Sequence, residues 1–269
     1  RDRSVSRGLG DVYKRQVIHR LDPRTKLIVL VVYMVTLFVA SGWVSYGVLL
    51  LFLLAVIKIS SIPGKSIVRG MKPLVMILVF TGVLNLFFTK EGRVLVDFWG
   101  VTITTGGAER AAFMLVRILM LVTSTFLLTY TTSPISLTDG LESLMNPLKA
   151  IKVPVHELSM MMCIALRFIP TLIEETDKIM SAQKARGADF ESGKLMERAK
   201  ALIPILVPLF ISAFRRADEL ATAMECRCYQ GGEGRTKMKQ LHYQRNDFAA
   251  FGAAALLTAA VIILKKFGM

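Results

Sequence analysis

The chain has 269 residues, 53% of them hydrophobic, with a net charge of +14 and a mean hydropathy of +0.51. A soluble domain is about 45–50% apolar even when Gly is counted, so composition argues against a water-soluble globule and excludes a disordered chain or a collagen. Three cysteines, Cys163, Cys226 and Cys228, cannot form a disulfide framework and fit a reduced, cytoplasmic side.

Residues 1–16 (RDRSVSRGLGDVYKRQ) have no apolar period and no signal-peptide pattern; they read as a non-native leader outside the fold. Apolar runs follow at 27–40, 46–59, 71–88, 111–130 and 247–264. With their flanks these predict five transmembrane helices, the third entered through Pro73. Lys58, Lys65, Arg69 and Lys72 fall in an acid-free segment at 58–72, whereas the turn at 41–45 has no charge and 89–110 balances its signs. The positive-inside bias therefore places the N-terminus and 58–72 in the cytoplasm, returns the chain there at residue 131, and leaves the C-terminus outside. Lys265 and Lys266 weigh mildly against that last placement.

The segment 131–245 differs. It holds sixteen Lys and Arg and thirteen Asp and Glu, a density typical of an aqueous region. Yet Leu158, Met162, Ala165, Ile169, Leu172 and Ile179 fall near one helix face, with Arg167, Glu174, Glu175 and Lys178 on another. Phe210, Phe214, Ala217, Ala221, Met224 and Cys228 make a second stripe. The reading is two long amphipathic helices, about 155–186 and 197–228, after a shorter one near 137–150. The domains are thus a leader at 1–16, spans at 17–130, cytosolic helices at 131–245 and a last span at 246–269. The fold class is an all-α integral membrane protein.

No catalytic engine is visible. Gly64-Lys65-Ser66 lacks the first glycine and the strand of a phosphate loop, since Ile59 stands where that glycine belongs. The histidines His19, His156 and His242 are scattered, and Cys226 and Cys228, one residue apart on a helix, point different ways, so no metal site is expected. Nothing resembles a nucleic-acid module, and no nucleic-acid partner is expected. Arg117 lies inside the fourth span; an intramembrane charge is a functional candidate, unless it snorkels to the interface.

Two arginines stand out. Arg186, between Ala185 and Gly187, and Arg227, between Cys226 and Cys228, each close a long amphipathic helix. The helix dipole favours a cation there, and small neighbours leave the guanidinium open to a partner's oxygens. From Val17 onward the chain resembles the transmembrane T component of energy-coupling factor transporters. The resemblance is carried by HRLDPRTKL at 19–27, KPL at 72–74, TTSP at 131–134, AQKARGADF at 182–190 and AMECRCY at 223–229. Its second arginine motif departs from the family pattern, with cysteines replacing the usual small Ala and Gly.

The resemblance implies a non-catalytic scaffold in the cell membrane. It would join a substrate-binding membrane subunit, the S component, to two ABC-type ATPases for vitamin or micronutrient uptake. It implies that Arg186 and Arg227 dock in grooves of the ATPases, that ATP and Mg bind those partners and not this chain, and that the long helices carry motion to the substrate-binding subunit. Phe210, Phe214, Ala217, Ala221 and Met224 are expected to pack on another helix or on that subunit. The alternatives are a dedicated cobalt- or nickel-type permease of the same family and an integral membrane enzyme.

Overall fold

The structure is a computed structural model, describing residues 17–88, 94–98, 101–188, 190, 195–232 and 240–267. The leader at 1–16 lies outside the described residues. The chain packs as two units, one of residues up to 140 together with 241 onward, the other 141–240.

In the first unit, α1 (Val17–Arg20) precedes α2 (Pro23–Val39), α3 (Trp43–Ser60) and α4 (Gly64–Phe88). Strands β1 (Val94–Phe98) and β2 (Val101–Thr104) pair antiparallel and lead into α5 (Thr105–Thr131). Helix α6 (Pro134–Met145) follows, and α10 (Arg245–Lys266) closes the unit. Asp22 caps α2, its Oδ1 accepting from the Arg24 N–H at 2.9 Å, and Pro23 opens the helix where a missing N–H costs nothing. Thr104 caps α5 through the Gly107 N–H. Tyr33, Leu37, Tyr46, Leu49, Met120 and Val261 form the core where α2, α3, α5 and α10 meet.

Two pairs of contacts fix how the helices run. The Asp22 N–H donates to Asp247 Oδ1 at 2.9 Å, and Thr36 Oγ1 lies 3.0 Å from Thr258 Oγ1, so α2 and α10 are parallel. A β-carbon on Gly70 would lie 3.0 Å from the Phe126 ring, and one on Gly82 3.2 Å from Leu115, so α4 and α5 are antiparallel. Lys26 Nζ donates to the Thr131 carbonyl at 2.8 Å, bringing the start of α2 to the end of α5. At the opposite end Trp43 Nε1 donates to Glu109 Oε1 at 3.2 Å. Arg20, Arg24, Lys26, Lys58 and Arg245 therefore share one end of the unit. Gly140 is required there: a β-carbon would come within 2.9 Å of Pro23 Cβ.

Several expectations need correction. Five helices are long and apolar enough to cross a membrane: α3, α4 through Leu86, α5, Val155–Ala185 and α10. The count agrees with the sequence reading, but the set differs. Helix α2, the first expected span, stands outside that set by one residue; its 17 residues, about 26 Å at 1.5 Å per residue, still fall within the range of about 17–25 that crosses a bilayer. The third does not enter through Pro73; that residue lies inside α4, which starts at Gly64, and Lys65, Arg69 and Lys72 ride on its first turns. Membrane helices tolerate such a proline because neighbouring groups re-satisfy the freed backbone. The 89–110 segment is not simply a loop, since it contains the β1–β2 ribbon, a small addition to an otherwise helical membrane protein.

The second unit contains a 3-10 turn (Asn146–Ile151), α7 (Val155–Ala185), α8 (Leu195–Ala201) and α9 (Ile203–Glu225). The helix expected at 197–228 is broken at Leu202. Pro204 cannot donate to the carbonyl four residues back and its ring crowds that carbonyl, so a new helix starts there.

Candidate functional site

Both singled-out arginines sit at helix ends with one and the same hydrogen-bond pattern. After Arg186, the Gly187 N–H donates to the Lys184 carbonyl at 3.0 Å and the Ala188 N–H to Gln183 at 3.0 Å. After Arg227, the Cys228 N–H donates to Glu225 at 2.8 Å and the Tyr229 N–H to Met224 at 3.0 Å. Bonds reaching three and five residues back, around one left-handed residue, make a Schellman ending. That residue is Gly187, with φ +88°, in the first and Cys228, with φ +55°, in the second. Glycine takes this conformation freely; a side chain pays roughly 1–2 kcal/mol. The departure from the family pattern at Cys228 is therefore a tolerated strain with the chain path unchanged. Sequence reasoning placed Arg227 on the helix; it sits in the turn just beyond Glu225.

Ala185, Arg186, Gly187, Cys226, Arg227 and Cys228 are all exposed. Neither guanidinium has a hydrogen bond or ion pair among the described residues. Each arginine thus presents a bare fork at a helix C-terminus, whose free carbonyls and dipole favour the cation. Such a fork is shaped for a carboxylate or for clustered carbonyls.

Helices α7 and α9 pack along a groove of about 260 Å³. Small side chains, Ala213, Ala217 and Ala221, line it from α9, and Ile164, Phe168 and Leu172 from α7. Of the expected stripe, Ala217, Ala221 and Met224 line this groove, whereas Phe210 and Phe214 do not and are 61% and 69% exposed. The α7 face turned to α9 is the expected one only in part: of that stripe Leu172 lines the groove. Leu158, Met162 and Ile169 are exposed, leaving α7 with an apolar face of its own, continued by Met161 and Ile173. The pairing of the two helices includes a polar lock that sequence reasoning missed. Arg216 Nη2 donates to Glu175 Oε2 at 2.9 Å, and the Ser212 hydroxyl donates to Glu175 Oε1. Both charged residues fell off the apolar stripes, and only a helix pairing could reveal that they meet.

Arg117 is the thirteenth residue of α5. Its side chain reaches toward the turn between α2 and α3. Its Nε donates to the Tyr46 hydroxyl at 2.7 Å, and its guanidinium lies 5.4 Å from the Phe38 ring centre. Tyr46 also reaches the Leu37 carbonyl at 3.5 Å, so the half-buried charge is held by a hydroxyl and ring faces beside the α2–α3 turn. Among the described residues no group of three or more His, Cys, Asp or Glu could hold a metal.

The family described as cobalt transport protein (CbiQ) matches residues 14–238. A protein of Thermosediminibacter oceani named energy-coupling factor transporter transmembrane protein EcfT is 56% identical over 247 residues, 92% of this chain and 93% of that one. The chain belongs to the energy-coupling factor transmembrane protein family. Relatives of the same name in Acidaminococcus fermentans and Bacillus subtilis are 49% and 47% identical, covering 97% and 93% of this chain and 97% and 94% of theirs. Membership in this family, with five helices long and apolar enough to cross, makes the chain a multi-pass membrane protein and the transmembrane component of a transporter.

Proposed function

We propose that this chain is the non-catalytic coupling subunit of an energy-coupling factor transporter. Residues 131–245 lie in the cytoplasm, where Arg186 and Arg227 dock in two ABC-type ATPases. ATP and Mg belong to those partners. ATP-driven closure of the ATPase pair shifts the two arginines relative to each other, and α7 and α9 pass the motion to a substrate-binding membrane subunit for vitamin or micronutrient uptake. The observation that carries this reading is the shared helix ending of Arg186 and Arg227. Two exposed guanidiniums without a partner among the described residues, held by the same backbone device, fit two copies of one kind of partner.

Orientation is argued from charge. The end of the first unit that gathers Arg20, Arg24, Lys26, Lys58 and Arg245 faces the cytoplasm, and the Lys265–Lys266 end faces outward. Helix α7 is apolar enough to cross, yet Glu174, Glu175, Asp177, Lys178 and Lys184 crowd its second half. Its exposed apolar face and the alanine-lined groove are instead the surfaces offered to the substrate-binding subunit.

A second reading, a permease dedicated to cobalt or nickel, is favoured by the description of the matching family. Affinity purification of the chain from its native membrane tests both. ATPase subunits and a substrate-binding membrane protein should come with it, and the cargo of that protein decides between vitamin and metal. A preparation lacking ATPase subunits would contradict the proposal.

A further inference from the structure

The first unit contains a half-open cavity of about 300 Å³, enclosed by α1, α2, α3, α5 and α10. It runs from Lys26 and Thr131 at the basic end to Tyr33 and Phe52 inside the bundle. Lys26 to Tyr33 is seven residues, about 10 Å along a helix, so the cavity stays within one leaflet of a core about 30 Å thick. Its walls are almost wholly apolar, with Val29, Leu53, Val56 and Leu127 among them. Apolar cavities stay dry and take apolar ligands.

The polar groups at the basic end are incompletely satisfied. Thr25 lines the cavity and is fully buried, and its hydroxyl has no hydrogen-bond partner among the described residues. The Lys26 ammonium has three donors. Two go to the His19 carbonyl at 3.3 Å and the Thr131 carbonyl at 2.8 Å. The third meets no acceptor among the described residues. The two acids nearby are occupied elsewhere: Asp22 Oδ1 accepts from the Arg24 N–H, and Asp247 accepts from the Asp22 and Gln244 N–H groups. Arg20 and Lys58, both exposed, add positive charge at the same end.

We propose that this cavity is a lipid site. It takes one hydrocarbon chain, with an anionic oxygen head accepting from Thr25 and Lys26. The same chemistry is offered by a free fatty carboxylate and by an anionic glycerophospholipid. The chain replaces empty contact along Val29, Leu53 and Val56, and the head satisfies a hydroxyl and an ammonium donor that the described residues leave open. The site is independent of the arginine docking and stands or falls separately.

The test uses the full chain, purified in complex in mild detergent, and two probes with a diazirine in the head-proximal part of the acyl chain: palmitic acid and a phosphatidylglycerol. Cross-links should concentrate on residues 27–33 and 52–59 with at least one probe, and the stronger probe names the source. Val56→Phe, which fills the cavity, should abolish this labelling while the complex still elutes intact. Thr25→Val keeps the shape and removes the open hydroxyl; it should weaken head binding without lowering thermal stability, since an unsatisfied buried hydroxyl is itself unfavourable. Labelling spread evenly over exposed helix faces, or unchanged by both substitutions, would overturn the proposal. So would labelling that appears only after residues 1–16 are deleted, because those residues would then be the occupant.

Discussion

The Asp22 backbone N–H donates to the carboxylate of Asp247, 225 residues further along the chain. Asp247 is fully buried, and its other oxygen accepts from the Gln244 N–H at 2.7 Å in a capping box. One carboxylate thus starts α10 and pins it to the start of α2, at the point where the chain returns from its second unit. Asp247→Ala would orphan two backbone donors at about 1–3 kcal/mol each. The thermal midpoint of the purified complex should fall markedly, and Asp247→Asn, which keeps one acceptor oxygen, should recover part of the loss. An unchanged midpoint for Asp247→Ala would refute this role.

The membrane helices were legible because long apolar runs have few alternatives. Their ends were not. Thr105–Ala111 and Gly64–Met71 are polar or basic at the sequence level, yet both are helix: Thr104 caps the one, and the exposed Lys65 and Arg69 leave the other free to run past its apolar part. The ribbon β1–β2 gave no signal against its charged surroundings. Arg186 and Arg227 were readable from their small neighbours, but their equivalence was not, since one left-handed residue is glycine and the other cysteine. The apolar stripes showed that α7 and α9 need partners without showing which face meets which. Packing turned Ile164, Phe168 and Leu172 inward and left Leu158 and Met162 outside, a choice that depends on Glu175, Ser212 and Arg216 as much as on the apolar side chains.

The alanine-lined groove gives a second expectation. Ala217 and Ala221 line it and are exposed in the chain alone; once the substrate-binding subunit covers the groove, an aspartate at either position would be buried unpaired, costing several kcal/mol or forcing protonation. Ala217→Asp should insert normally but fail to retain the substrate-binding subunit on purification. Full retention together with full uptake would show that this face is solvated in the complex.

Topology is testable by thiol labelling in intact cells. With Cys163, Cys226 and Cys228 replaced, a cysteine at Ser66 or Ser192 should be shielded from an impermeant reagent. One at Gly92 should react, as should one at Phe267, because α10 runs parallel to α2 and ends at the opposite side. Labelling at Ser192 from outside would reverse the orientation and place both arginines beyond reach of an ATPase.

The most direct measurement is uptake and ATPase retention by Arg186→Ala, Arg227→Ala and the double variant, expressed at equal levels in the membrane. Both arginines are exposed and carry no described partner, so neither substitution removes a contact that holds this chain together. Each single variant should cut uptake sharply with membrane insertion unchanged. The double variant should lose the ATPases on purification and transport nothing. A double variant that keeps its ATPases and transports at the wild-type rate would contradict the coupling role assigned to the two helix ends.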